Sequence, residues 1–210
     1  VSERFKRRES TRPIANKILI VCEGSKTEPQ YFHAIRQRWR LATLQVLIVP
    51  SQSKTDPYNL VELAIEKRQE LEDDDRWEKG DRAWVAFDGD EHIEKSMDAW
   101  NKALSKAKGQ KIELAITNPC FEFWYLLHFQ DHFAQITNIR AKALLNKHIS
   151  NYDKAKCYYP EPLEALTENA IQRAKKIAEQ IQRGELNEFS NPCCSGLTTL
   201  VQNLLMIGGQ

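Results

Sequence analysis

Two short apolar runs that each end in acids constrain this chain most. The first, Lys17-Ile18-Leu19-Ile20-Val21-Cys22, stops at Glu23-Gly24. The second, Ala83-Trp84-Val85-Ala86-Phe87, stops at Asp88-Gly89-Asp90-Glu91-His92. Runs of this length without polar alternation read as strands of a parallel sheet covered on both faces. Open α/β sheets place their ligand chemistry beyond the carboxyl ends of such strands. Glu23 and Asp88-x-Asp90 therefore point to one divalent-metal site.

The intervening sequence supplies helices. Gly24 allows a turn that few other residues make. Thr27-Glu28-Pro29-Gln30 has the form of a capping box, with Thr27 as N-cap and Gln30 at N3; Ser25 with Glu28 offers a competing register. That helix runs to about Arg40, with Tyr31, Phe32, Ile35 and Trp39 inward. A second strand, Leu44 to Val49, precedes Asp56-Pro57, an N-cap followed by proline at N1, and a helix to about Glu72. Asp73-Asp74-Asp75 reads as a solvated connection. After the third strand comes a helix from about Ile93 to Ala107, then a fourth strand from Lys111 to Ile116. Asn118-Pro119 is the expected N-cap and N1 of a helix that is apolar nearly all round, through Phe121, Phe123, Trp124, Leu126 and Leu127.

Strand and helix thus alternate over 17–130, which predicts a doubly wound α/β domain with right-handed crossovers. Beyond His132 the pattern turns helical: about Arg140 to His148, Leu163 to Arg183 with Gly184 as its stop, and a last segment carrying Leu197, Leu200, Val201 and Leu204. The expected division is a basic arm over 1–16, the α/β domain over 17–132, and a helical extension over 133–210 packed on it. The arm carries Arg4, Lys6, Arg7, Arg8 and Arg12; it reads as a solvated tail or as a segment touching phosphates.

Composition removes several classes of function. A formal net charge of +1 gives no overall push toward nucleic acid, so such binding needs local basic patches. No apolar run approaches the roughly 20 residues that span a bilayer, and the N-terminal stretch lacks a signal-peptide core. The five cysteines show no C-x-x-C spacing and read as reduced, buried thiols, which favours a cytoplasmic setting. No Walker-type glycine loop is present, so ATP hydrolysis belongs to a partner if it is needed.

Hard divalent cations favour carboxylate oxygens, and magnesium keeps positions for water and substrate phosphate. Asp88 and Asp90 share a direction if their segment stays extended. Without metal, carboxylates this close repel and raise one another's pKa. Lys26, beside Glu23, and Lys154, in Tyr152-Asp153-Lys154, are candidates for phosphate; each also reads as an exposed lysine. Tyr152, Lys156, Tyr158 and Tyr159 interleave rings and charges in a way that suits single-strand stacking, although tyrosines also pack at domain edges.

Glu23-Gly24 after the first strand and Asp88-x-Asp90 after a later one resemble the Toprim domain of topoisomerases, primases and related nucleases. The longer motifs resemble the RloB family, Toprim-like proteins of bacterial defence and restriction loci. These motifs are Glu23 through Phe32, Phe87-Asp88-Gly89-Asp90, Asn118-Pro119-Cys120-Phe121-Glu122-Phe123-Trp124 and the segment from Asn191-Pro192. The resemblance implies a Toprim-like, mainly parallel four-stranded sheet with a C-terminal helical extension. It implies Glu23 as general acid/base or metal-site carboxylate, Asp88 and Asp90 as ligands of Mg²⁺ or Mn²⁺, and an ABC-type ATPase as partner. Glu28 matches a further motif acid and suits a helix start. Glu122 is open between metal ligand and helix-start carboxylate. Glu91 and His92 read as a surface turn.

The expected function is a metal-dependent nuclease acting on RNA or DNA in anti-phage defence. The competing expectations are a non-catalytic module that assembles with an ATPase, and nucleotidyl transfer.

Overall fold

The computed structural model describes residues 16–42, 46–51, 56–89, 92, 96–187 and 190–208. The basic arm through residue 15, Asp90 and Glu91, the start expected for the second strand at Leu44 and the helix start expected at Ile93 lie outside those residues. Among them the chain forms four parallel strands: β1 (Ile18–Cys22), β2 (Val46–Pro50), β3 (Arg82–Asp88) and β4 (Ile112–Thr117), in the order β2-β1-β3-β4. The helices are α1 (Thr27–Arg38), α2 (Pro57–Asp73), α3 (Met97–Gly109), α4 (Phe121–Phe129), α5 (Asn138–Leu145), α6 (Thr167–Gln182) and α7 (Ser195–Gly208). This is the α/β architecture with a C-terminal helix that the alternation predicts, and it is consistent with a Toprim-like fold.

The strand order explains why helices cover both faces. From β1 the chain moves one way to β2, and from β3 it moves the other way to β4. Right-handed crossovers in opposite directions must lie on opposite faces. Accordingly Ile18, Ile20 and Cys22 of β1 pack with α1, α4, α6 and α7, whereas Leu19 and Val21 pack with α2 and α3. Alternate residues of one strand thus serve two cores, which is why the run contains no polar alternation. β1 is buried along its whole length.

Local signals account for some helix starts and fail at others. Asp56 caps α2 as expected, its carboxylate accepting the N–H groups of Tyr58 and Asn59, with Pro57 at N1. Such a cap contributes about 1 kcal/mol. The capping box does not form, because Lys26 occupies the N-cap of α1 and Thr27 lies inside the helix. Thr27 Oγ1 instead donates to Lys154 O, and Gln30 Nε2 donates to Ala155 O. α4 starts after Cys120, not after Asn118. The Asn118 backbone pairs in antiparallel fashion with Cys193 in both directions, extending the β4 end into the C-terminal segment. α7 follows at once, and Gly196 brings it so close to β4 that a Cβ would collide with Leu114 O.

The acidic run after α2 is an exposed connection, as expected. Tyr152 and Tyr158 pack on Tyr125, and Tyr159 is buried with its hydroxyl bound to Trp39 Nε1, so these rings are engaged within the fold. Cys22, Cys120 and Cys194 are buried free thiols; Cys157 is exposed, against expectation.

Candidate active site at the β1–β3 seam

The site lies where the direction of the strand connections reverses, at the adjacent carboxyl ends of β1 and β3. In register, Cys22 is opposite Ala86, so Glu23 leaves β1 beside the last residues of β3. Its N–H donates to Ala86 O, and its carbonyl accepts from Ser51 Oγ beyond β2, which locks the peptide from both neighbouring strands. The carboxylate is equally constrained. Oε2 accepts the Asp88 backbone N–H at 3.0 Å, and Oε1 lies 3.0 Å from His92 Nε2. His92 is therefore no surface turn residue: its side chain is only 11 % exposed.

Asp88 is the last residue of β3, and Thr117, its register partner on β4, donates its hydroxyl to Asp88 Oδ1 at 2.8 Å. The Asp88 carboxyl is held well above the usual carboxylate range by burial first and by Glu28 next; Glu23 and Glu122 add to this, while the Thr117 hydroxyl opposes it. Glu28 itself is 7 % exposed. Burial raises its pKa, with Glu23 and Glu122 adding, against the pull of Lys154. Glu28 is thus part of the acid group as well as of the first turn of α1. Gly24 makes room for it: a Cβ there would collide with Glu28 Oε2. Gly24 does not have a positive φ, so space and not turn geometry is what requires glycine.

Glu122, on the first turn of α4, is 1 % exposed. Its Oε1 meets Lys154 Nζ at 3.3 Å, Lys142 Nζ at 3.9 Å and the Tyr152 hydroxyl at 3.4 Å. Its Oε2 has no hydrogen-bond partner. Lys26 is exposed. Asp90, the third acid of the expected set, lies outside the described residues.

Glu23 and Asp88 are thus brought together, with Glu28 and Glu122 acting on Asp88 from behind, and Lys154 facing the same group. The sequence reading missed the supporting donors. Thr117 was within reach, since it ends the fourth apolar run in parallel with Asp88; Lys142 carried no signal.

The donor chemistry fits a hard divalent cation. Several buried carboxylates resist ionisation together, and one buried carboxylate oxygen lacks any donor, which is the condition a cation relieves. Among the described residues, no three His, Cys, Asp or Glu groups converge tightly enough to hold an ion by themselves.

A family model described as RloB-like protein matches residues 18–204, which span the four strands and most of α7. The chain belongs to the RloB-like family. Comparison with curated proteins and with solved structures returns no match. The RloB-like match covers the seam, the lysine-bearing segment and the C-terminal pairing of Asn118 with Cys193 alike. Among the described residues, no helix is long and apolar enough to cross a membrane.

Proposed function

We propose that this RloB-like chain is a metal-dependent nuclease that hydrolyses phosphodiester bonds in RNA or DNA, acting in bacterial anti-phage defence beside an ABC-type ATPase. The observation that carries the reading is the meeting of Glu23 and Asp88 at neighbouring strand ends, with two more buried carboxylates coupled to Asp88. Gathering this many acids at one strand-end seam carries a desolvation and repulsion cost that a site for a cation would offset.

In this reading Asp88 and Asp90 would hold Mg²⁺ or Mn²⁺, Glu23 would serve as general base or as a further ligand, and Glu122 Oε2 would be available as another donor. Lewis-acid charge on the phosphoryl oxygen comes from that cation when it is bound. Glu23 orients the attacking water and takes its proton. The Asp88 N–H and His92 hold the Glu23 carboxylate so that little reorganisation is needed for this step. Thr117 fixes the Asp88 carboxyl in one orientation. Lys154 and the exposed Lys26 meet substrate phosphates.

The test is cleavage of labelled RNA and DNA with Mg²⁺ or Mn²⁺, with and without the ABC-type ATPase. Wild type is compared with Glu23→Gln and with Asp88→Asn/Asp90→Asn. Loss of cleavage by roughly a hundredfold or more in folded variants is expected. Full activity in either variant rejects the assignment. Absence of cleavage in every condition, with stable binding of the ATPase, favours an assembly role.

A further inference from the structure

Lys142 and Lys154 come from different parts of the chain and converge on one buried oxygen. Lys142 lies on α5, and its Nζ is 3.9 Å from Glu122 Oε1; Lys154 lies in the 151–159 segment, with its Nζ at 3.3 Å from the same atom. A lone exposed lysine stays in water because the net gain from a surface pair is small. These two are positioned by the fold. The main chain around Lys154 is fastened to α1 by Thr27 and Gln30, whose side chains donate to Lys154 O and Ala155 O. Tyr152, two residues earlier, packs on Tyr125 and directs its hydroxyl to Glu122 Oε1. Glu122, at 1 % exposure, is the fixed point, while the lysine side chains remain 37 % and 53 % exposed.

Charge and donor counts show what the arrangement lacks. Within this trio one carboxylate faces two ammonium groups; the seam acids Glu28 and Asp88 act on Lys154, and the Lys142 ammonium has Glu122 as its acid partner. Each ammonium has three N–H donors; Lys154 directs one to Glu122 at 3.3 Å, while Lys142 at 3.9 Å is an ion pair without a hydrogen bond, so most donors are left for another acceptor. An acceptor with several oxygens and one negative charge can take them up. A phosphodiester has that chemistry. Lys154 also acts electrostatically on Glu28 and Asp88, so an anion bound there lies beside the seam.

We propose that Lys142 and Lys154, anchored by Glu122, form a subsite for one backbone phosphate of a nucleic-acid strand and set its register relative to Glu23 and Asp88. The proposal rests on the nucleic-acid reading above and adds to it the residues that position the strand. Glu122 and Tyr152 act as positioning residues, because they hold the lysines and do not touch the strand. Lys26 is not part of this subsite.

The experiment measures binding, so that it does not depend on cleavage. Full-length wild type and Lys142→Met/Lys154→Met are titrated with fluorescent single-stranded RNA and DNA of one sequence, in Ca²⁺, over a series of salt concentrations. The double variant should bind at least about tenfold more weakly. The slope of log affinity against log salt should be shallower by roughly 1 to 2. Lys142→Arg/Lys154→Arg should retain most of the affinity. The double methionine variant leaves Glu122 buried without a cation, so Lys142→Met/Lys154→Met/Glu122→Gln serves as the fold-preserving partner and should show the same loss. Unchanged affinity and slope in a folded variant overturns the subsite, as does a wild type that binds neither RNA nor DNA. Wild type that binds but does not cleave, with the lysine dependence intact, keeps the subsite and rejects the nuclease. Preference between the RNA and DNA arms identifies the source of the phosphate.

Discussion

The Glu23 carboxylate accepts the backbone N–H of Asp88 at 3.0 Å, across the seam between β1 and β3. This bond joins the ends of two separate apolar runs at the point where the direction of the strand connections reverses. It fixes the direction of the Glu23 side chain without using the Asp88 carboxyl group, which is held separately by Thr117. The second oxygen of Glu23 is held by His92. An acid held on both oxygens is preorganised, and preorganisation is what a proton-transfer or ion-holding group requires.

Asp88→Asn should respond to divalent cation in opposite ways at the level of stability and of binding. Burial and three neighbouring acids disfavour the Asp88 carboxylate, so holding its negative charge costs the metal-free fold stability. Replacing it with a neutral amide of the same shape should raise the melting temperature without cation. Adding Mg²⁺ should raise the melting temperature of wild type by mass action and that of Asp88→Asn much less. Thermal melts with and without Mg²⁺ check both; equal shifts in the two proteins would remove Asp88 from the cation site.

Gly24→Ala should destabilise by about 1–3 kcal/mol, because the new methyl meets the buried carboxylate of Glu28. Glu28→Ala removes the obstacle, so the cost of Gly24→Ala should shrink in that background. A double-mutant cycle by urea unfolding measures the coupling. Strict additivity would show that the two residues do not compete for the same space.

Two glycines at helix ends should separate cleanly. Gly196 lies in the first turn of α7, where a Cβ strikes a backbone carbonyl of β4 that cannot swing aside. Gly196→Ala should therefore cost about 1–3 kcal/mol or more. Gly109 ends α3 with no atom within 4 Å of the place an added methyl would take, so Gly109→Ala should be neutral or stabilise by up to about 1 kcal/mol. Chemical denaturation of the two variants decides it; equal effects would mean that α7 does not press on β4.

His128 sets part of the acid limit of the fold. Burial pushes its pKa down to about 4, with Arg173 adding to the shift against two backbone hydrogen bonds. The unfolded chain, with a histidine pKa near 6.5, binds the proton first. Stability from this group is complete above about pH 6.5 and is lost as pH falls toward 4, a span on the order of 3 kcal/mol. His128→Leu should flatten the stability curve in that window while leaving the neutral-pH fold intact. An unchanged acid limb would place the acid sensitivity elsewhere.

The parts of the molecule that depend on neighbours along the chain were legible in the sequence. Unbroken apolar runs signalled strands covered on both faces, and the acids Glu23 and Asp88 at their ends are residues the fold brings together. Asp56-Pro57 signalled a helix start, and the structure places one there. The signals that failed were those in which a polar side chain had two uses. Thr27 has the chemistry of an N-cap, yet its hydroxyl goes to Lys154 O, 127 residues away in sequence. Asn118 likewise has its backbone paired with Cys193 in place of capping α4. Local propensity contributes about 1 kcal/mol at such positions, and a tertiary hydrogen bond that closes a buried site is worth as much.

The sequence by itself determined the strands, their alternation with helices, the family, and the acids that end two of the strands. Only the tertiary structure decided that β1 and β3 are neighbours, because strand order depends on crossover direction and not on any residue within the strands. That order brings Glu23 to Asp88, seats Thr117 and His92 beside them, and folds Glu28 inward over Gly24. It also draws Lys142 and Lys154 onto Glu122, a contact whose members share no local pattern. Side-chain period is a local property of the chain; the meeting of buried charges is set by packing between distant segments.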